Sequence, residues 1–177
     1  MNPAFQKKII LAGAFQIVCL IAMIAWAALP VMIGTEVLLK TRPVDPRDLF
    51  RGNYVALQYD ISQIPKELMD ASEKEISYSD RGTPVFVRLV SSGPGQPWIA
   101  DKVSLKPFDS GVFLKGKLRY FPSEALDIEY GLEAFYCPLE KAKQLEREFA
   151  AGNLLGKVYI SNGRSRLSDL IKWQSRE

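Results

Sequence analysis

From residue 9 to residue 33 the chain runs for 25 residues without a charge, and Gln16 is the most polar side chain among them. At about 1.5 Å per residue a helix over this stretch reaches roughly 37 Å, more than a hydrocarbon core of about 30 Å. Trp26 lies toward its far end, where an aromatic side chain meets a membrane interface, and Pro30 is placed to terminate the helix. Beyond it the pattern breaks into short runs. Residues 36–40 predict a first strand, ended by Pro43 and Pro46, each of which disfavours helix for the residue before it. Residues 54–61 then alternate, with Val55, Leu57, Tyr59 and Ile61 on one face and Tyr54, Ala56, Gln58 and Asp60 on the other. A period of two predicts a half-buried strand.

Residues 62–80 are polar and charged, and Pro65 allows a short helix through Leu68 and Met69. Three strands follow at 84–90, 98–105 and 112–120, separated by turn-rich segments at 91–95 and 109–111, a pattern that predicts an antiparallel meander. Residues 126–136 are apolar and aromatic, a further strand interrupted at Gly131. Pro138 fits the first turn of a helix over 138–151, whose inward stripe is Leu139, Ala142, Leu145 and Phe149, with Gly152 and Asn153 as its stop. A closing hairpin joins 158–160 to 167–171 through Ser161-Asn162-Gly163. The expected fold is mainly β (α+β): one antiparallel β-rich domain over 34–177 with a helix near 138–151. A cytoplasmic N-terminus and transmembrane signal-anchor helix over residues 1–33 precede it.

Charge and composition narrow the function more by exclusion than by assignment. Lys7 and Lys8 precede the apolar stretch and no acidic residue precedes Glu36, so the segment from residue 34 onward carries 21 basic against 20 acidic side chains. That balance offers no basic patch for a nucleic acid, and no nucleic-acid partner is expected. The chain contains no histidine, which removes Ser-His and Cys-His nucleophile pairs and the commonest zinc ligand. Cys19 lies within the apolar stretch and Cys137 in the domain, so no disulfide is expected between them, and Cys137 reads as a small buried hydrophobe. No phosphate-cradling glycine loop or dinucleotide fingerprint occurs; no catalytic residue, metal or cofactor is expected.

The densest cluster of candidate chemistry is the segment from Pro43 to Tyr59. It sets Asp45, Asp48, Arg47 and Arg51 beside Gly52, Asn53, Tyr54, Leu57 and Tyr59. Paired carboxylates can serve acid–base work and arginines can clamp an anion. The same residues also describe a turn whose aspartates cap backbone N–H groups and pair with the arginines. The second reading is preferred because no nucleophile or metal ligand accompanies the carboxylates.

The run Arg51-Gly52-Asn53-Tyr54-Val55-Ala56-Leu57-Gln58-Tyr59 resembles the signature of the membrane-anchored GDYXXLXY proteins, with Asn53 in place of the motif's aspartate. Residues 34–41, 43–50 and, more loosely, 129–136 are similar to that family too. The resemblance implies a bacterial, membrane-anchored protein and carries over no catalytic residue. Asn53 keeps the size and turn preference of aspartate without its charge. A fainter similarity links the turn before Tyr54 to membrane-bound signal peptidases. Their serine nucleophile has no counterpart here, since no serine lies between Met1 and Gly52.

The expected function is therefore that of an accessory or binding module. It sits on the periplasmic side of the bacterial inner membrane, is held there by residues 9–33, and docks to another membrane or envelope protein. The alternatives are a periplasmic hydrolase built on Asp45, Asp48, Arg47 and Arg51, or a small-ligand or glycan-binding domain using Trp98, Phe108, Tyr120 and Tyr130. A cleaved signal peptide ending at Ala27 is disfavoured, because the 17 apolar residues before Trp26 exceed the usual length and the run continues afterwards. Mass measurement of the membrane-extracted protein is expected to show residues 1–33 still attached. A mature form beginning at Ala28 contradicts the anchor.

Overall fold

The computed structural model describes residues 3–42, 54–69, 81–120, 125–137, 145 and 154–173. Helix α1 spans Pro3–Ile33, and its segment Gln6–Ile33 is long and apolar enough to cross a membrane. Pro30 lies inside α1 instead of ending it. Its missing N–H deprives only the carbonyl four residues earlier, so the last turn still forms, and Gly34 donates its N–H to Pro30 O at 2.9 Å. Gly34 is required there, since a Cβ would lie 2.1 Å from that oxygen.

Eleven strands follow among the described residues: β1 Thr35–Arg42, β2 Tyr54–Ala56, β3 Gln58–Tyr59, β4 Gln63–Pro65, β5 Pro84–Ser91, β6 Trp98–Ser104, β7 Val112–Tyr120, β8 Ala125–Glu129, β9 Ala134–Tyr136, β10 Leu154–Ser161 and β11 Arg164–Lys172. They make a four-stranded sheet in the order β11-β10-β1-β3, a five-stranded sheet in the order β4-β8-β7-β5-β6, and a β2-β9 pair. Every strand pairing is antiparallel, as expected for a mainly β domain.

Period-two patterning placed most of these strands and misplaced some of their neighbours. Strands β5, β6 and β7 lie where alternation predicts them, but β7 pairs with β5 and not with β6, so the run is not a meander. Residues 54–61 do not form one strand. The ladder breaks at Leu57, β2 and β3 join different sheets, and Asp60–Ser62 turns as a single 3-10 turn. The short helix expected around Pro65 is a second 3-10 turn at Lys66–Leu68, preceded by β4, which pairs with β8. Leu145 is helical and buried in the core; the rest of the helix expected over 138–151 lies outside the described residues.

The closing hairpin forms as predicted, with Asn162 and Gly163 both at positive φ (48° and 77°), the backbone a tight two-residue turn demands. Its tip is tied to the second sheet, since Lys115 donates its N–H to Gly163 O at 3.0 Å. The five-stranded sheet curls far enough that Met69, just past β4, bridges Val103 on the opposite edge strand. One hydrophobic core results. Val37, Leu39, Leu154 and Val158 face it from the first sheet, and Val85, Val87, Leu114 and Leu126 from the second.

Gly116 marks the tightest contact inside the curl, because a Cβ there would lie 2.4 Å from Ile128 Cγ2 and 3.2 Å from the Tyr130 ring. Gly116→Ala is expected to destabilise the domain by about 1–3 kcal/mol through overpacking, read by thermal unfolding of the full chain in detergent.

Candidate functional site

The motif strand is built around the places where its backbone changes partner. At Leu57, between β2 and β3, the N–H donates to Glu133 O at 2.7 Å in the loop between β8 and β9. Alternation of side chains survives the switch, so Leu57, Tyr59 and Ile61 are all buried, as the sequence pattern predicts. Tyr59 is fully enclosed and donates its hydroxyl to Leu132 O at 2.9 Å. Its ring packs over β10 at Gly156, where a Cβ would come within 3.0 Å of it. Tyr130 completes the exchange from the other side: its hydroxyl donates to Ile61 O at 2.7 Å, and its own N–H is received by Glu133 Oε1 at 2.6 Å.

Burial, reinforced by the negative charge of Glu133, pushes both phenols above the ordinary tyrosine range, so they stay neutral donors. The two phenols and the glutamate carboxylate are thus each bonded to the local backbone, tying the motif strand to the β8–β9 loop.

A cleft of about 390 Å³ opens beside this network, lined by Ala56, Leu57, Gln58, Ser62, Arg119, Asp127, Ile128 and Glu133. Arg119 reaches it from a bulge in β7: Leu118 pairs with Ile128 and Tyr120 with Asp127, leaving Arg119 as the extra residue. Its guanidinium stands 3.9 Å from Glu129, a loose ion pair, and is more than half exposed, so it can still donate to a polar group entering the cleft. Ser62 is occupied, since its Oγ accepts the Tyr59 N–H at 3.2 Å. Among the described residues no group of three His, Cys, Asp or Glu side chains stands together as a metal site. With Asp127 and Glu133 beside one guanidinium, the lining is of mixed charge, and the chemistry this arrangement offers is recognition of a polar group.

Of the site residues expected from sequence, Leu57 and Tyr59 are core elements of this network. Asp45, Arg47, Asp48, Arg51, Gly52 and Asn53 lie outside the described residues, as does the Tyr54 side chain. Among the described side chains, the aromatic residues weighed for glycan binding do not gather at one cleft. Tyr130 is buried, and Phe108 packs against Phe113 at 5.9 Å under the Arg88 guanidinium. Trp98 lines a separate cleft of about 180 Å³ with Pro65, Leu68 and Ile99. The Tyr120 side chain lies outside the described residues. Cys137 is buried in the core, as expected.

Comparison with known families decides what the motif strand belongs to. The GDYXXLXY protein family matches residues 16–170, from the middle of α1 almost to the end of β11. The chain belongs to that family. No curated protein and no solved structure matches it. In this GDYXXLXY protein the leucine and last tyrosine of the signature are buried side chains at the partner switch. The last tyrosine serves as a hydrogen-bonded core post.

Tyr59→Phe removes the donor to Leu132 O and leaves that carbonyl dry, so a loss of about 1–3 kcal/mol is expected. Both buried phenols titrate above their unfolded value of about 10. Their contribution is therefore complete below that pH and is lost as pH rises through the folded values. Thermal midpoints measured from pH 8 to 11 are expected to fall above pH 10, and to fall less steeply in Tyr59→Phe.

Proposed function

We propose that this protein is an accessory module held at a set height and angle on the outer face of a bacterial inner membrane, where it docks to another membrane or envelope protein. The observation that carries this reading is the joint between helix and domain. Gly34 alone separates α1 from β1, and its N–H is bonded back to Pro30. The end of α1 packs on β10 and β11, with Arg166 Nη1 donating to Ala27 O at 3.3 Å and the Arg164 guanidinium 4.0 Å over the Trp26 ring. A tethered enzyme that collects soluble substrate gains nothing from such a joint, whereas a docking surface that must meet a partner beside it in the bilayer does. The bonds of Tyr59, Tyr130 and Glu133 to the backbone support the same reading, because they give the motif's Leu57 and Tyr59 an architectural place. The cleft at Arg119 is the surface best suited to receive a polar segment of the partner.

A flexible Gly-Ser insertion of about six residues after Gly34 should leave the domain folded and anchored while releasing its orientation. Crosslinking in intact membranes, followed by capture of the full chain, is expected to recover a defined complex from the parent and to lose it with the insertion. Equal recovery from both means that fixed height is irrelevant and the docking reading fails.

A further inference from the structure

The β10–β11 hairpin descends alongside α1 past the point where the chain leaves the helix. Thr35 pairs with Ile160, and the strands continue to Ser161 and Arg164 before and after the Asn162-Gly163 turn. This brings Arg164 against Trp26 and Arg166 against Ala27, eight and seven residues back from Gly34.

Taking α1 as membrane-spanning, two constraints then set its depth. A guanidinium is excluded from hydrocarbon, so the Trp26 level must lie at or above the edge of the acyl region. Met32 and Ile33 are 78% and 70% exposed and apolar, which opposes raising the upper turns far into water. Both are met when residues 27–33 cross the headgroup layer. The charge-free helix from residue 9 to residue 26 then spans about 27 Å, close to a hydrocarbon thickness of about 30 Å.

In that position Arg164 and Arg166 project from the same face of β11 at the level of lipid phosphates. Nearby, Glu36 is neutralised by Lys157 at 2.8 Å, with the lysine holding its carboxyl below the usual range. Among the described residues neither arginine has an ion-pair partner.

We propose that Arg164 and Arg166 form a receptor for the phosphate of an anionic phospholipid headgroup in the leaflet at the domain end of α1. Trp26 forms the apolar wall of this receptor. The proposal rests on α1 spanning the bilayer and adds a lipid ligand to the joint described above. Guanidinium groups suit the task because they present several donors in a plane and bind phosphate by paired hydrogen bonds.

The test is native mass spectrometry of the full chain in detergent, offered equal amounts of phosphatidylglycerol and phosphatidylcholine. Preferential retention of phosphatidylglycerol is expected, falling about fivefold for each arginine removed in R164Q, R166Q and the double variant. K172Q, at the far end of β11, should retain the lipid like the parent. Equal retention of the two lipids by the unmodified chain overturns the proposal without recourse to any variant, as does undiminished retention by a folded double variant. Displacement of the lipid by millimolar inorganic phosphate would mean that the pair reads phosphate from solution, and would overturn the lipid assignment. Release of the chain from vesicles by alkaline carbonate would instead refute the spanning helix.

Discussion

The peptide N–H of Leu57 has no strand beside it, and the domain is organised around the bond that satisfies it. A buried donor left without an acceptor costs on the order of 1–3 kcal/mol, so the loop bearing Glu133 must sit within reach of it. Once that bond is made at 2.7 Å, the residues before it pair with β9 and those after it pair with β1. Tyr59 is thereby carried into the space over Gly156, and its hydroxyl bonds Leu132, one residue before Glu133. The same short loop receives the motif strand twice and sends Tyr130 back to Ile61. Two sheets with no strand in common are stitched together by backbone and phenol, not by long apolar side chains alone.

Alternation along a strand records which side chains face the core and is silent about which strand lies alongside. This explains both what could be read in the sequence and what could not. Leu57, Tyr59 and Ile61 were legible as buried positions because side-chain direction is preserved across the break, while the change of partner between Ala56 and Gln58 left no trace in the pattern. The same reason accounts for β7, whose residues were located well and whose neighbour was not. Strand β4 escaped because three residues ending in Pro65 hold a single apolar side chain, too few for any period. The apolar helix and the Asn162-Gly163 hairpin were legible because length in the one case and positive φ in the other are local demands that residue type answers directly.

The candidate cleft was less legible than the fold. Arg119, Asp127 and Glu133 stand about 60 to 75 residues beyond the motif in sequence. Arg119 continues the outward series of Lys115 and Lys117, so nothing in the alternation marks it; a one-residue bulge turns it toward the cleft. The motif's Leu57 and Tyr59 are interior supports, as their place on the apolar face predicts, while the charged residues that drew attention as chemistry lie outside the described residues. A signature can be specific to a family because a particular backbone break needs a particular leucine and tyrosine around it.

The pairing of β1 with β10 joins residues separated by up to 125 positions, Thr35 with Ile160. During synthesis α1 leaves the ribosome before β1, which follows with one edge waiting for a strand that is not yet made. Closing so long a loop is slow, and the contacts that secure it are the last to arrive. The joint between α1 and the domain is therefore assembled late in folding, from strands far along the chain. Until β10 and β11 arrive, α1 lacks the strands its last turns pack against, and its angle to the domain is fixed only when that hairpin is in place.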